Sequence, residues 1–176
     1  MKIFFDYFLI PNDYFLIPNK YTDKEIIVRI LYSPYHINSK KNKVKPAAFH
    51  PPSGKTDISI LRHNFTTTNF CKKHGKRFAD LDKKFQGFGA FRCSDIKALR
   101  KEGEKEPHLI VSKIFDIKKR LFLPMHGDII MGQIIDGEPP KIDIRRRAKE
   151  IQKIVQLFVD SEPDDDSWKG KELKLV

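Results

Sequence analysis

Short apolar runs separated by polar segments and prolines set the pattern along this chain, and several of them have the character of β-strands. Residues 26–31 are β-branched and mostly apolar with one embedded arginine, which is typical of a strand that is largely buried. Residues 58–61 repeat this pattern, and the two glycines of residues 87–91 permit close approach of another backbone. Two further strands are expected at residues 109–115 and 128–135.

Apolar residues three or four positions apart indicate helices between these strands. After threonines that can cap a helix, the first such stripe consists of Phe70, His74, Phe78, Leu81 and Phe85. A basic helix is expected over about residues 142–159, with an apolar stripe of Ile144, Ala148, Ile151, Val155 and Phe158. The sequence therefore predicts an α+β fold: a single compact domain with a small, mainly antiparallel sheet and two or three helices.

The two ends of the chain differ from this central part. Residues 6–12 are repeated without change as residues 13–19, and a repeat this short cannot build a stacked core. We expect one copy to form a strand and the other an arm, which assigns residues 1–19 to a duplicated strand or arm and residues 20–159 to the domain. Residues 160–176 hold six acids and three lysines, which predicts a flexible acidic tail.

Composition allows one sizeable core and excludes several classes of protein. The 176 residues are 40% hydrophobic and include 14 Phe, so neither a wholly disordered chain nor a disulfide-stabilised miniprotein is expected. No apolar run reaches the roughly 18–20 residues that a membrane helix needs, so no contact with a membrane is predicted. Two cysteines, and an N-terminus that does not resemble a signal peptide, indicate a cytoplasmic protein.

The net charge of +11 is distributed unevenly along the chain. The acidic tail carries −3, and subtracting it from +11 leaves +14 on residues 1–159. Such a basic body predicts a polyanionic partner, either nucleic acid or an acidic protein, and deletion of the tail is expected to strengthen this binding. The candidate contacts are Lys40, Lys41, Lys43, Lys72, Lys73, Lys76, Arg77, Arg145, Arg146 and Arg147, with a further basic cluster at residues 118–120.

Histidines are the main candidates for catalysis. His126, together with His50 or His63, could supply a general acid and base for metal-independent phosphodiester cleavage. Two imidazoles close together in an open basic cleft would favour this chemistry, whereas a buried His126 bonded to the backbone would argue against it. Cys71 and His74 have a spacing that zinc sites use, but both fit the apolar side of a helix, and we predict no metal site and no cofactor.

A set of short motifs follows one order along the chain. Arg29 lies in the first strand, Ser59 and Arg62 lie in the next, and residues 124–129 form a Pro-x-His-(small)-x-Ile motif that contains Asp128. In this order the chain resembles a group of small bacterial and phage proteins for which no activity is established, over about residues 26–155. The resemblance implies a compact α+β domain in which Arg29, Ser59, Arg62 and Asp128 are structural or line a pocket. A carboxylate such as Asp57 would be a structural partner for Arg29.

Two functions stay open at this point. The first is a non-enzymatic basic binding module that binds nucleic acid or a partner protein, which the resemblance places among accessory components of bacterial defence or toxin–antitoxin systems. The alternative is a metal-independent ribonuclease toxin that uses histidine acid and base catalysis.

Overall fold

The computed structural model describes residues 17–38, 40–99, 109–116, 121–132 and 141–175. Their main element is a six-stranded antiparallel sheet. The strands are β1 Ile26–Ser33, β2 Ile37–Asn38, β3 Lys43–Val44, β4 Asp57–Arg62, β5 Lys84–Arg92, β6 Leu109–Val111, β7 Ile114–Asp116, β8 Leu121–Leu123, β9 His126–Ile130 and β10 Gln156–Val159. The helices are α1 Thr68–Arg77, α2 Cys93–Ala98 and α3 Lys141–Ile154. The main sheet has the order β10-β5-β1-β4-β9-β6, and β2–β3 and β7–β8 form separate hairpins. The described residues confirm the predicted α+β class.

Side chains of β1 alternate between the two faces of the sheet, and each face has its own apolar core. Ile27 and Leu31 pack with the apolar side of α3 on one face. Val28 and Tyr32 pack on the other face with α1 and with the segment that follows β10. We call these two sides the α3 face and the α1 face.

The helix α1 is shorter than the sequence predicts, because the chain turns after Arg77. Backbone groups of Asp80 and Lys83 bond each other in both directions and close this turn. Leu81 lies within the turn and is 97% exposed, and Phe85 belongs to β5. The predicted continuation of the helical stripe through Leu81 and Phe85 is therefore wrong, since the helical spacing runs across a turn into a strand.

The basic helix also ends earlier than predicted. α3 stops at Ile154, and Gln156–Val159 forms β10, which pairs with β5 at the edge of the sheet. Gly87 of β5 permits this pairing, because a Cβ atom at that position would collide with the carbonyl oxygen of Phe158. The prediction of a helix up to residue 159 is wrong, because the β-branched and aromatic residues at its end pair with this glycine-containing strand instead.

Residues 160–175 contain no helix or strand, and they lie against the α1 face. The ring of Trp168 packs on Phe88 with 4.9 Å between centroids, and Leu173 is buried in the same core. Lys72 of α1, which the sequence predicts at the surface, is fully buried and forms a 2.7 Å ion pair with Asp160. Where the sequence predicts a flexible tail, the structure has a segment of irregular backbone that contacts the folded body.

Several predictions fall on residues that the structure does not describe. These are the arm and the first copy of the duplicated heptapeptide, the basic cluster at residues 118–120 and the strand residues beyond 132. The end of the second copy is described: Ile17 is buried on the α1 face, and the carbonyl oxygen of Pro18 accepts a hydrogen bond from Arg62. None of the helices in the described part of the chain has the length and apolar character to cross a bilayer.

Candidate functional site

Two of the predicted basic clusters lie side by side in the structure. The side-chain amide of Gln152 in α3 donates a 2.7 Å hydrogen bond to the carbonyl oxygen of Val44 in β3, which holds the β2–β3 hairpin against the helix. Exposed cations on α3 recur every four residues and therefore form one strip along the helix. We define the α3–hairpin surface by its six exposed cations: Lys40, Lys41, Lys43, Arg145, Lys149 and Lys153.

The α3–hairpin surface has little internal counter-charge. Within the described residues, none of its six cations has a carboxylate oxygen within 4 Å. Arg146, which the sequence placed among the polyanion contacts, pairs with Glu150 at 3.0 Å. Arg147 is buried and donates to the carbonyl oxygen of Ile130 at 2.9 Å, so it supports α3 on the sheet rather than contributing to this surface.

The basic cluster of α1, unlike the α3–hairpin surface, is partly covered by residues 160–175 of the same chain. The Lys72 ammonium donates to the carbonyl oxygens of Glu162 and Ser167 in addition to its ion pair with Asp160. The Lys76 ammonium donates to two further carbonyl oxygens of the same segment and to the carboxylate of Asp166 at 2.8 Å. Lys73 and Arg77 are exposed on this helix. Two of the four cations of the α1 cluster, Lys72 and Lys76, are thus engaged by residues 160–175.

A cavity of about 460 Å³ opens on the α1 face, where β1 and β4 separate. The two strands pair only at Ile27 with Arg62 and at Val28 with Leu61. Beyond these pairs Arg29 lies in the gap, where its Nε donates to the carbonyl oxygen of Ala48 at 3.2 Å and its Nη1 to that of Ser59 at 2.7 Å. The expected pair with Asp57 is not formed, since the guanidinium has two backbone acceptors instead. We call this space the β1–β4 cavity.

The β1–β4 cavity has cationic and imidazole groups among otherwise mostly apolar walls. Its lining includes Arg29, Lys55, Ser59, His74 and His126. Burial lowers the pKa of Arg29 from its ordinary value. Burial also lowers the pKa of His74 to about 4, with smaller contributions in the same direction from His126 and Arg77. His74 is therefore neutral at physiological pH while Arg29 retains its charge.

His126 is fixed by groups of its own sheet edge. Its Nδ1 lies 2.8 Å from the carbonyl oxygen of Ser112 and 2.8 Å from the hydroxyl of the same residue. That hydroxyl donates to Asp128 Oδ2, and Asp128 Oδ1 lies 3.9 Å from His126 Nε2. Because Nδ1 donates to a carbonyl, the neutral ring carries its lone pair on Nε2. His126 is buried and bonded to the backbone, and this arrangement is the one that argues against a role in acid and base catalysis.

The other two histidines of the ribonuclease hypothesis do not line the cavity. His63 Nε2 lies 3.0 Å from the Thr68 hydroxyl, and burial lowers its pKa. His50 is exposed in the connection before β4. The imidazole that shares the cavity with His126 is His74, which the sequence indicated only as part of a helical stripe. Its role depends on how α1 packs on the sheet, which no local pattern reports.

Arg62 differs from Arg29 because its guanidinium has a carboxylate partner and a structural role. Its guanidinium makes a bidentate pair with Glu25, at 2.7 and 2.9 Å, and lies between the rings of Tyr21 and Phe65. It also donates to the carbonyl oxygen of Lys20. Arg62 is completely buried with its charge compensated, and it holds the segment before β1 on the sheet.

Comparison of the chain with protein-family models, with curated proteins and with solved structures finds no match in any of the three.

Proposed function

We propose that this chain is a basic binding module that binds nucleic acid through the α3–hairpin surface. The observation that carries the proposal is the hydrogen bond from Gln152 to Val44, because it combines two basic clusters, about 105 residues apart in sequence, into one surface. When the cations of such a surface neutralise phosphates, the counterions condensed around the nucleic acid are released, and this release favours binding.

The spacing of the cations suits a phosphate backbone. Arg145, Lys149 and Lys153 follow one another at about 6 Å along α3, since each residue of a helix rises about 1.5 Å. The lysines of the hairpin widen this strip on one side. Phosphate contacts of this kind position a nucleic acid without reading its sequence, so we expect binding with low sequence specificity.

An exposed aromatic side chain beside the hairpin favours a single strand over a duplex. Tyr35 is 53% exposed. Its turn is tied to β3, because Lys45 donates from its side chain to Pro34 and from its backbone to His36. An aromatic ring next to a cationic strip can stack on an unpaired base. Single-stranded RNA is therefore the probe of choice, and duplex DNA is the comparison.

Fluorescence anisotropy with labelled single-stranded RNA tests this proposal. The triple variant Lys41→Ala/Lys43→Ala/Lys149→Ala is expected to weaken binding by about tenfold or more, because it removes three phosphate contacts. The matched control Lys24→Ala/Lys73→Ala/Lys84→Ala removes the same charge from exposed positions outside the surface and is expected to change the affinity less than about twofold. Equal weakening in both variants, or no binding by the wild type, would contradict the proposal.

The ribonuclease alternative has less support. His126 is buried and bonded to a backbone carbonyl, and neither His50 nor His63 lines the cavity that His126 faces. An acidic protein as the partner stays the competing outcome of the binding test, recognised by the absence of RNA binding at low salt. A role in a bacterial defence or toxin–antitoxin system stays a prediction that rests on the resemblance of short motifs.

A further inference from the structure

We propose that the β1–β4 cavity is a binding site for a small organic phosphate, with Arg29 as the group that holds its anionic end. The cavity opens on the α1 face, where Val28 and Leu61 contribute to both the apolar core and the cavity lining. Arg29 lines it from the gap between β1 and β4, where its Nε bonds Ala48 of the α3-face core. None of the six cations of the α3–hairpin surface is among the residues that line the cavity.

The first argument is the uncompensated charge of Arg29. A guanidinium has five N–H donors, and hydrogen bonds to Ala48 and Ser59 use two of them. Among the described residues no carboxylate oxygen lies within 4 Å of this guanidinium, whereas Arg62 on the neighbouring strand has Glu25. A partly buried cation without a counter-charge is costly, and an anionic ligand supplies the missing charge together with acceptors for the remaining donors.

The second argument is the composition of the cavity wall. The described residues that line it include no aspartate or glutamate, and Lys55 at its exposed end adds a second permanent cation. His74 also lines the cavity and is neutral at physiological pH, so it adds no negative charge to the wall. Among the described residues the wall therefore carries permanent positive charge and no negative charge.

The carboxylate of Asp128 does not serve as the missing partner. Asp128 contributes to the electrostatic environment of Arg29, but it is engaged by the Ser112 hydroxyl and lies beside His126. It stands next to the cavity rather than among its lining residues. The anionic group of a ligand would consequently be placed towards Arg29 and Lys55, away from this carboxylate.

The remaining wall determines the kind of ligand. Apart from its polar groups the cavity is lined by aliphatic side chains and by the rings of Tyr32 and Phe78. The Tyr32 hydroxyl donates to the carbonyl oxygen of Gly75 at 3.1 Å, which fixes that ring. Two permanent cations suit a dianion, and an apolar wall of this size suits an organic body, as in ligand pockets of about 300–1,000 Å³. A phosphate monoester with an aromatic body, such as a nucleoside monophosphate, combines both features.

Isothermal titration calorimetry with adenosine 5′-monophosphate, adenosine and inorganic phosphate tests the site in the full-length chain. We expect the monophosphate to bind at least about tenfold more tightly than adenosine, since only the former has charge for Arg29 and Lys55. Lys55→Ala is expected to weaken the monophosphate about fivefold, and Lys24→Ala, which removes another exposed lysine, is expected to have no effect. Arg29→Met should abolish the preference for the monophosphate.

Three results would overturn the site. They are equal binding of adenosine and its monophosphate, equal effects of Lys55→Ala and Lys24→Ala, and no heat with the monophosphate at about 10 mM. Lys55→Ala keeps the test valid if Arg29→Met fails to fold, because Lys55 is exposed. The Lys41→Ala/Lys43→Ala/Lys149→Ala variant should bind the monophosphate as tightly as the wild type does. The proposed phosphate site and the proposed RNA-binding surface are therefore tested independently.

Discussion

The two basic faces of this molecule differ in the origin of their counter-charge. On the α1 face, residues 160–175 of the same chain provide carboxylates and carbonyl oxygens to Lys72 and Lys76. On the α3 face, the six cations of the α3–hairpin surface have no carboxylate within 4 Å among the described residues. Basic clusters that look alike in sequence thus give one surface whose cations are partly engaged within the chain and one that is open to a partner.

The charge of the sequence overstates the number of cations that are available on the α1 face. The value of +14 for residues 1–159 counts Lys72 and Lys76 as available cations, although the acidic segment occupies both. This segment also buries Leu173 and packs the partly buried Trp168 on Phe88, so it contributes to the core as well as to the charge. Removal of this segment should therefore lower the stability of the fold more than it changes polyanion binding.

Truncation after Val159 should have the largest effect. We expect the free energy of unfolding to fall by at least about 5 kcal/mol, because the truncated chain loses a buried ion pair and the packing of an indole on Phe88. Urea denaturation followed by circular dichroism measures this loss. A truncated protein with unchanged stability and tighter RNA binding would instead support the flexible tail that the sequence predicts.

Lys72→Met should have the next largest effect, because it leaves Asp160 buried without its cation. The expected loss is about 3–5 kcal/mol in the free energy of unfolding. Lys73→Met provides the control, since Lys73 is exposed on the same helix, and we expect it to stay within about 0.5 kcal/mol of the wild type. Similar denaturation curves for the two variants would show that Lys72 is not buried.

The pH dependence of stability should depend on His74. Its pKa in the folded protein is about 4 against 6.5 ordinarily, mainly because of burial, so the unfolded chain binds a proton between these values and the folded protein does not. Stability is therefore complete above pH 6.5 and falls as the pH decreases towards 4, by up to about 1.4 kcal/mol per pH unit.

His74→Phe should make this decrease shallower, because a phenyl ring has no proton to bind and fits between Phe70 and Phe78. Thermal unfolding of both proteins from pH 7 to pH 4 provides the measurement. His36, whose pKa burial also lowers to about 4, is present in both proteins and cancels in the difference. Parallel curves for wild type and variant would contradict the burial of His74.

Asp166→Asn should have the smallest effect. Asp166 pairs with Lys76 on the α1 face at 2.8 Å, but its side chain is 83% exposed, and solvent screens such pairs. We expect no measurable change in the urea midpoint. A clear decrease would show that the acidic segment is held mainly by its surface charges rather than by Lys72 and Trp168.

The strands at 26–31 and 58–61 were predictable because their signal is local. The β-branched runs at 26–31 and 58–61 became β1 and β4, since strand character depends on neighbouring residues. The run at 109–115, which the sequence predicts as one strand, forms two strands of different sheets, β6 and β7. The ends of the helices α1 and α3 were not predictable from the sequence, because the apolar spacing at Phe85 and Phe158 fits a strand as well as a helix.

The candidate site was less accessible from the sequence than the fold. Arg29, Ser59 and His126, which the motifs indicated, do line one cavity. The burial of Lys72 depends on Asp160, 88 residues later, and the α3–hairpin surface depends on one hydrogen bond between Gln152 and Val44. Contacts between distant segments decide which cations are available, and no local pattern contains that information.

The salt dependence of RNA binding tests the central claim most directly. For a single strand, the slope of log K against log salt concentration is about −0.7 for each neutralised phosphate. We predict that Lys41→Ala/Lys43→Ala/Lys149→Ala makes the slope about 2 units shallower, whereas Lys24→Ala/Lys73→Ala/Lys84→Ala leaves it unchanged. A wild-type slope near zero, or the same change in both variants, would contradict the assignment of RNA binding to the open α3–hairpin surface rather than to the partly covered α1 face.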